Sequence, residues 1–172
     1  GQGHFFNEEK SRYRLNPTGP QHAQIAALAG ITEYFDHLHQ HHFGKSELSL
    51  HQRARQTFDL VGQHEAKLAN ILLDYLKDRD DIRILGQDHA VPGQRASTIA
   101  FHARAMPSKR IAEQLSQSKI GVGAGDFYAL RCVEALGMDA ADGVVRVSMV
   151  HYNTAAEVQK LVDVLDATLT SV

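Results

Sequence analysis

Apolar positions along this chain recur first at helical spacing and then in short strand-like runs. Ile25, Leu28, Ile31, Phe35 and Leu38 follow one another at steps of three and four, which predicts an amphipathic helix over 21–43. Pro20 suits its first position, behind the turn Asn16-Pro17-Thr18-Gly19. After a break at Gly44-Lys45-Ser46, a second helix is predicted over 48–77, with Leu50, Phe58, Val61, Leu68, Leu72 and Leu76 among its apolar positions. The charged run Lys77-Asp78-Arg79-Asp80-Asp81 ends it, and the pattern then changes. Strands are predicted over 82–85 and 97–103, a helix over 107–117 and a strand over 119–122. Asp126 reads as the N-cap of a helix that stops at Gly137. A last strand over 144–150 precedes a helix whose start is marked by Thr154 and Glu157, the spacing of a capping box. Residues 4–16, mixed aromatic and charged, read as an extended arm.

Two long helices followed by alternating strands and helices is an α+β pattern, with a small, mostly antiparallel sheet and helices packed on it. A length of 172 residues and 43% hydrophobic content fit one ordinary domain or two small ones. The formal charge of −2 supplies no electrostatic reason to expect nucleic acid or an anionic membrane as partner. No apolar run approaches a membrane span, the polar start does not read as a signal peptide, and the single cysteine fits a reducing, cytoplasmic setting.

The residue that stands out chemically is Arg146, set among Val144, Val145, Val147, Met149 and Val150. A guanidinium keeps its proton in a protein, and its planar fork matches a carboxylate through two parallel hydrogen bonds. Two readings are open: Arg146 meets a small carboxylate ligand, or it lies on the solvent face of an edge strand. The stretch Gly121-Val122-Gly123-Ala124-Gly125-Asp126 lacks the spacing and the lysine of a P-loop. It reads as a loop over a site or as a plain strand-to-helix turn. Asp126, Tyr128 and His151 are candidates to line a pocket. His37 and His41, within the cluster 37–42, share a helix face at the minimal spacing for a metal, with a solvated helix end as the alternative, and no metal is assigned. Cys132, mid-helix, reads as structural rather than nucleophilic.

Arg146-Val147-Ser148, followed by Tyr152-Asn153-Thr154 and Glu157-Val158, resembles the C-terminal signature of class V aminotransferase-type, cysteine-desulfurase-like pyridoxal-phosphate enzymes. Pro17-Thr18-Gly19-Pro20 is similar to the turn ahead of that family's long helix, with glycine and threonine exchanged, and Arg95 through Phe101 is similar to one of its strands. The resemblance implies the C-terminal domain of a fold-type I transferase together with the long helix before it. Residues 1–45 would pack on a large domain, and 46–172 would form the small domain. Arg146 would receive the α-carboxylate of an amino-acid substrate. Thr18 would reach the cofactor phosphate of a neighbouring subunit in a homodimer, or simply cap its turn. Gly123, Gly125 and Asp126 would belong to an active-site loop, where desulfurases carry a catalytic cysteine and this chain has none. The family's Schiff-base lysine lies in the large domain, and none of the lysines here resembles its motif. The chain alone is therefore expected to carry no catalytic residue and to hold no cofactor covalently. The alternative is a stand-alone, non-catalytic dimerisation or scaffold module built on the same fold.

Overall fold

The computed structural model describes residues 20–171, so Thr18 and the arm over 4–16 lie outside the described residues. The elements are α1 (His22–Phe43), α2 (Leu50–Lys77), β1 (Ile82–Leu85), β2 (Thr98–Ala103), α3 (Ser108–Gln117), β3 (Gly123–Gly125), α4 (Leu130–Ala135), β4 (Val144–Ser148) and α5 (Ala155–Thr170). The α+β class holds: two long helices precede a four-stranded antiparallel sheet of order β1-β2-β4-β3. The chain divides into two compact units between Thr57 and Phe58, within α2.

In the first unit α1 ends at Gly44, whose φ of 77° suits a residue without a Cβ and whose N–H donates to Gln40 at 3.0 Å. Ser49 and Gln52 cap α2 reciprocally: the Ser49 N–H donates to Gln52 Oε1 at 3.0 Å and the Gln52 N–H to Ser49 Oγ at 3.4 Å. Arg53 donates to both carboxylate oxygens of Asp36, at 3.0 and 3.3 Å. The histidine cluster resolves in favour of one member. His39 is buried, its Nε2 2.8 Å from Gln56 Oε1 and its ring 5.0 Å from that of Phe43, whereas His37, His41 and His42 are exposed. No group of three ligating side chains among the described residues is disposed to hold a metal. The apolar stripe of α1, read as a packing face, stands open: Ile25, Leu28 and Ile31 are 54–59% exposed.

The core of the second unit is built by the alternation that strands impose. Ile99, Phe101 and Ala103 of β2 and Val145 and Val147 of β4 point to one face of the sheet and are buried. Leu68, Leu72 and Leu76 of α2, Ile111 and Leu115 of α3, and Leu161, Leu165 and Leu169 of α5 fill that side. The capping box of α5 forms as its spacing predicts: Thr154 Oγ1 accepts from the Glu157 N–H at 3.2 Å, and Glu157 accepts from the Thr154 N–H at 2.7 Å. The predicted strand over 119–122 does not form. Lys119 takes φ 61°, and pairing begins only at Gly123. The last strand stops at Ser148, where Asn153 turns the chain by accepting the Val150 N–H at 2.9 Å.

Three carboxyls are held below their ordinary values by their partners: Asp36 by the hydrogen bond from Arg53, Asp81 by that from Arg79 and Glu157 by the Thr154 backbone N–H. Each folded-state value lies under the unfolded one. The contribution is therefore complete above the unfolded value and is lost as pH falls through the lowered folded value. The melting temperature is expected to stay level from about pH 7 to about pH 5 and to fall below about pH 4. Asp81→Asn should flatten that acid limb in a pH series of thermal melts, and an unchanged limb would show that Asp81 contributes nothing to it.

Candidate active site

The face of the sheet turned away from the core carries Thr98, Ala100 and His102 of β2 and Arg146 and Ser148 of β4. Arg146 is exposed there, and β4 is an interior strand paired on both sides, so the edge-strand reading of Arg146 is corrected. Its cross-strand neighbours are Ala100 on β2 and Gly123 on β3. Two small residues thus leave room for a long side chain to lie across the sheet. No carboxylate lies within ion-pairing distance of Arg146 among the described residues. The Phe127 ring meets it instead, with the guanidinium carbon 3.9 Å from the ring centroid.

The glycine stretch lies beside Arg146. Gly123 and Gly125 lie in edge strand β3, facing Arg146 and Val144 in register. The ring of Phe127 lies so close to Gly123 that a Cβ there would sit 2.8 Å from its Cε1 and Cζ atoms. Gly143, with φ 66°, approaches Gly125 so closely that a Cβ would fall 2.2 Å from the Gly125 carbonyl carbon. Asp126 does not cap the following helix, as its position suggested. Its carboxylate accepts the Tyr128 N–H at 3.2 Å and its carbonyl accepts the Ala129 N–H at 2.8 Å, a side-chain-stabilised turn. The helix itself begins later, at Leu130. Phe127 and Tyr128 take φ values of 52° and 60°, a region that costs an L residue roughly 1–2 kcal/mol. Cys132, read as structural from its mid-helix position, is exposed, and the buried residue of α4 is Val133.

The remaining motif residues have local duties. His64 Nε2 lies 2.9 Å from the Asn153 carbonyl, which can only accept, so that nitrogen carries the hydrogen. Asn153 closes the β4–α5 turn and Thr154 caps α5. His151 packs edge-on against Tyr152, their ring centroids 5.2 Å apart. Where residues 120–122 part from β4, a cleft of about 260 Å³ opens, lined by Val122, Ser148, Asn153 and Lys160 among others, and Arg146 does not border it.

A Schiff-base lysine has to be held neutral, which burial achieves by disfavouring the ammonium. The described lysines, Lys45, Lys67, Lys77, Lys109, Lys119 and Lys160, are all exposed. Lys77 is pushed the opposite way, its pKa raised by the hydrogen bond to Asp74. The described residues do not fit covalent attachment of pyridoxal phosphate. No helix among them is long and apolar enough to cross a membrane.

The sequence profile of the aminotransferase class-V family matches residues 9–161. The aminotransferase-like protein FGM3 of Gibberella zeae is 30% identical over 169 residues, which cover 97% of this chain and 38% of that protein. The cysteine desulfurase-like protein ustD of Aspergillus flavus is 31% identical over 116 residues, covering 66% of this chain and 26% of that protein. Among solved structures, the cysteine desulfurase of Thermococcus onnurineus NA1 superposes with a TM-score of 0.61 at 21% identity, over 72% of this chain and 29% of that one. CsdA of Escherichia coli gives 0.56 at 22% identity, over 73% and 27%. At these identities the two structures establish the fold. The chain spans well under half the length of the curated relatives it matches. With the profile covering most of the chain and one relative aligned over nearly all of it, the chain belongs to the aminotransferase class-V family, a pyridoxal-phosphate-dependent family, and matches a part of its cysteine-desulfurase-like members.

Proposed function

We propose that the chain is the C-terminal part of a pyridoxal-phosphate-dependent class V enzyme acting on an amino acid, and that it contributes substrate-carboxylate binding and active-site closure. The observation that carries this reading is Arg146: an exposed guanidinium on the open face of an interior strand, floored by Ala100 and Gly123, with no carboxylate to neutralise it among the described residues. The neighbouring motif residues Asn153 and Thr154 are occupied by turn and cap hydrogen bonds, and Arg146 has no comparable structural task. Gly123, which faces Arg146 in the register, would form with Gly125 and Asp126 further along the chain the rim that closes over the bound substrate.

In this reading a large domain supplies the lysine and the cofactor, and the exposed stripe Ile25, Leu28 and Ile31 of α1 packs on that domain or across a homodimer. Residues 1–45 would form this docking segment and 46–172 the small domain. Thr18 would reach the cofactor phosphate of the neighbouring subunit. The setting would be cytoplasmic. The test compares an amino-acid substrate with its primary amide in the complete enzyme. Loss of the carboxylate should weaken binding roughly 30-fold or more, the scale of about 2 kcal/mol for a charge-assisted pair. Equal affinity for acid and amide would refute the carboxylate role.

The second reading, a non-catalytic dimerisation or scaffold module, is favoured by the exposed lysines and the open α1 stripe. A reading frame without a lysine-bearing large domain upstream would decide for it.

A further inference from the structure

Phe127 adopts a backbone conformation that L residues avoid, and the contacts of its ring give that conformation a purpose. One part of the ring lies against Gly123, where any Cβ would collide at 2.8 Å. The guanidinium carbon of Arg146 stands 3.9 Å from its centroid, at stacking distance. Gly123 and Arg146 are direct cross-strand partners, so the ring, the glycine and the arginine share one face of the sheet. The turn that carries the ring is fastened by Asp126, which accepts the Tyr128 N–H.

We propose that Phe127 is a positioning residue for Arg146: its ring is a shelf that fixes the guanidinium plane while leaving the in-plane N–H donors available to a substrate carboxylate. A guanidinium stacked on an aromatic face keeps all five donors at its edges, where a carboxylate binds bidentately. An unsupported arginine has several rotatable bonds to order when the ligand arrives, and a stacked one is ordered beforehand. The shelf requires glycine at position 123, because alanine would displace the ring. This inference rests on the carboxylate role proposed for Arg146.

The experiment reads the contact and its consequence separately. In the present chain, the Arg146 Hε proton observed by NMR should be shifted upfield by the ring current. The shift should persist in Phe127→Tyr and vanish in Phe127→Leu and in Gly123→Ala, while the amide resonances of β2 stay in place. In the complete enzyme, Phe127→Leu should raise KM for the amino-acid substrate about tenfold, which is about 1.4 kcal/mol, with kcat within about twofold. Phe127→Tyr should recover the lower KM. If Phe127→Leu loosens the whole turn, Gly123→Ala carries the same test. An Hε resonance indifferent to Phe127→Leu overturns the proposal. So does a lost ring-current shift with unchanged KM in an enzyme where Arg146→Ala still raises it. If Arg146→Ala leaves KM unchanged, the carboxylate reading fails and the positioning role with it, while the NMR result still reports whether the contact exists.

Discussion

Arg146→Ala, made in the complete enzyme, should raise KM for the amino-acid substrate by roughly 30- to 1,000-fold, the equivalent of about 2–4 kcal/mol of lost carboxylate binding. Arg146→Lys keeps the charge and loses the fork, so its effect should be intermediate. Both variants should melt close to the parent. The side chain stands on the exposed face of β4 and stacks on the Phe127 ring, a contact worth about 0.5–1 kcal/mol at an exposed site. Steady-state kinetics beside a thermal melt separates the outcomes. Unchanged kinetics would make Arg146 a solvated surface charge of little energetic weight, and a collapsed melt would make it structural.

Gly143→Ala should be among the most damaging single-methyl changes in the second unit. The added Cβ would meet the carbonyl carbon, carbonyl oxygen and Cα of Gly125 at 2.2, 2.4 and 2.6 Å, all backbone atoms that cannot rotate away. Its φ of 66° also disfavours any L residue. Overpacking and backbone strain together predict a loss of about 2–4 kcal/mol. Because Gly125 pairs with Val144 in the ladder, the displacement should reach the turn that carries Asp126 and Phe127. Gly62→Ala is the control. Nothing lies within 4 Å of the point its Cβ would occupy, it sits inside α2, and the change should stabilise by up to about 1 kcal/mol. Chemical denaturation of the two variants checks both signs, and equal stabilities would show that the Gly125–Gly143 approach is not tight.

What could be read from the residue order was what depends on near neighbours. The Thr154–Glu157 capping box involves residues three apart, and it forms as its spacing indicates. β1 spans Ile82–Leu85 as its apolar run suggests. The exposed face of Arg146 follows from alternation with Val145 and Val147, but its place on an interior strand depends on β3 pairing from outside, which no local pattern announces. That pairing was hidden because glycines carry no side chains to alternate, so 121–125 resembled a turn and the strand was expected over 119–122. Asp126 resembled an N-cap because the same side chain that caps a helix also fastens a turn, and only the positive φ values at Phe127 and Tyr128 tell the two apart. Phe127 offered no signal of its own beyond an aromatic ring four residues past a glycine.

Along β4 the chain assigns two tasks to alternate residues: Val145 and Val147 hold the core, while Arg146 and Ser148 face outward. The two sets lie on opposite faces of the sheet, so a change at Arg146 or Ser148 leaves the side chains of Val145 and Val147 facing the same core. If Arg146 receives the substrate carboxylate as proposed, a lineage carrying this strand has its recognition and its folding on opposite faces, and the exposed positions Arg146 and Ser148 are where specificity would be redirected by design.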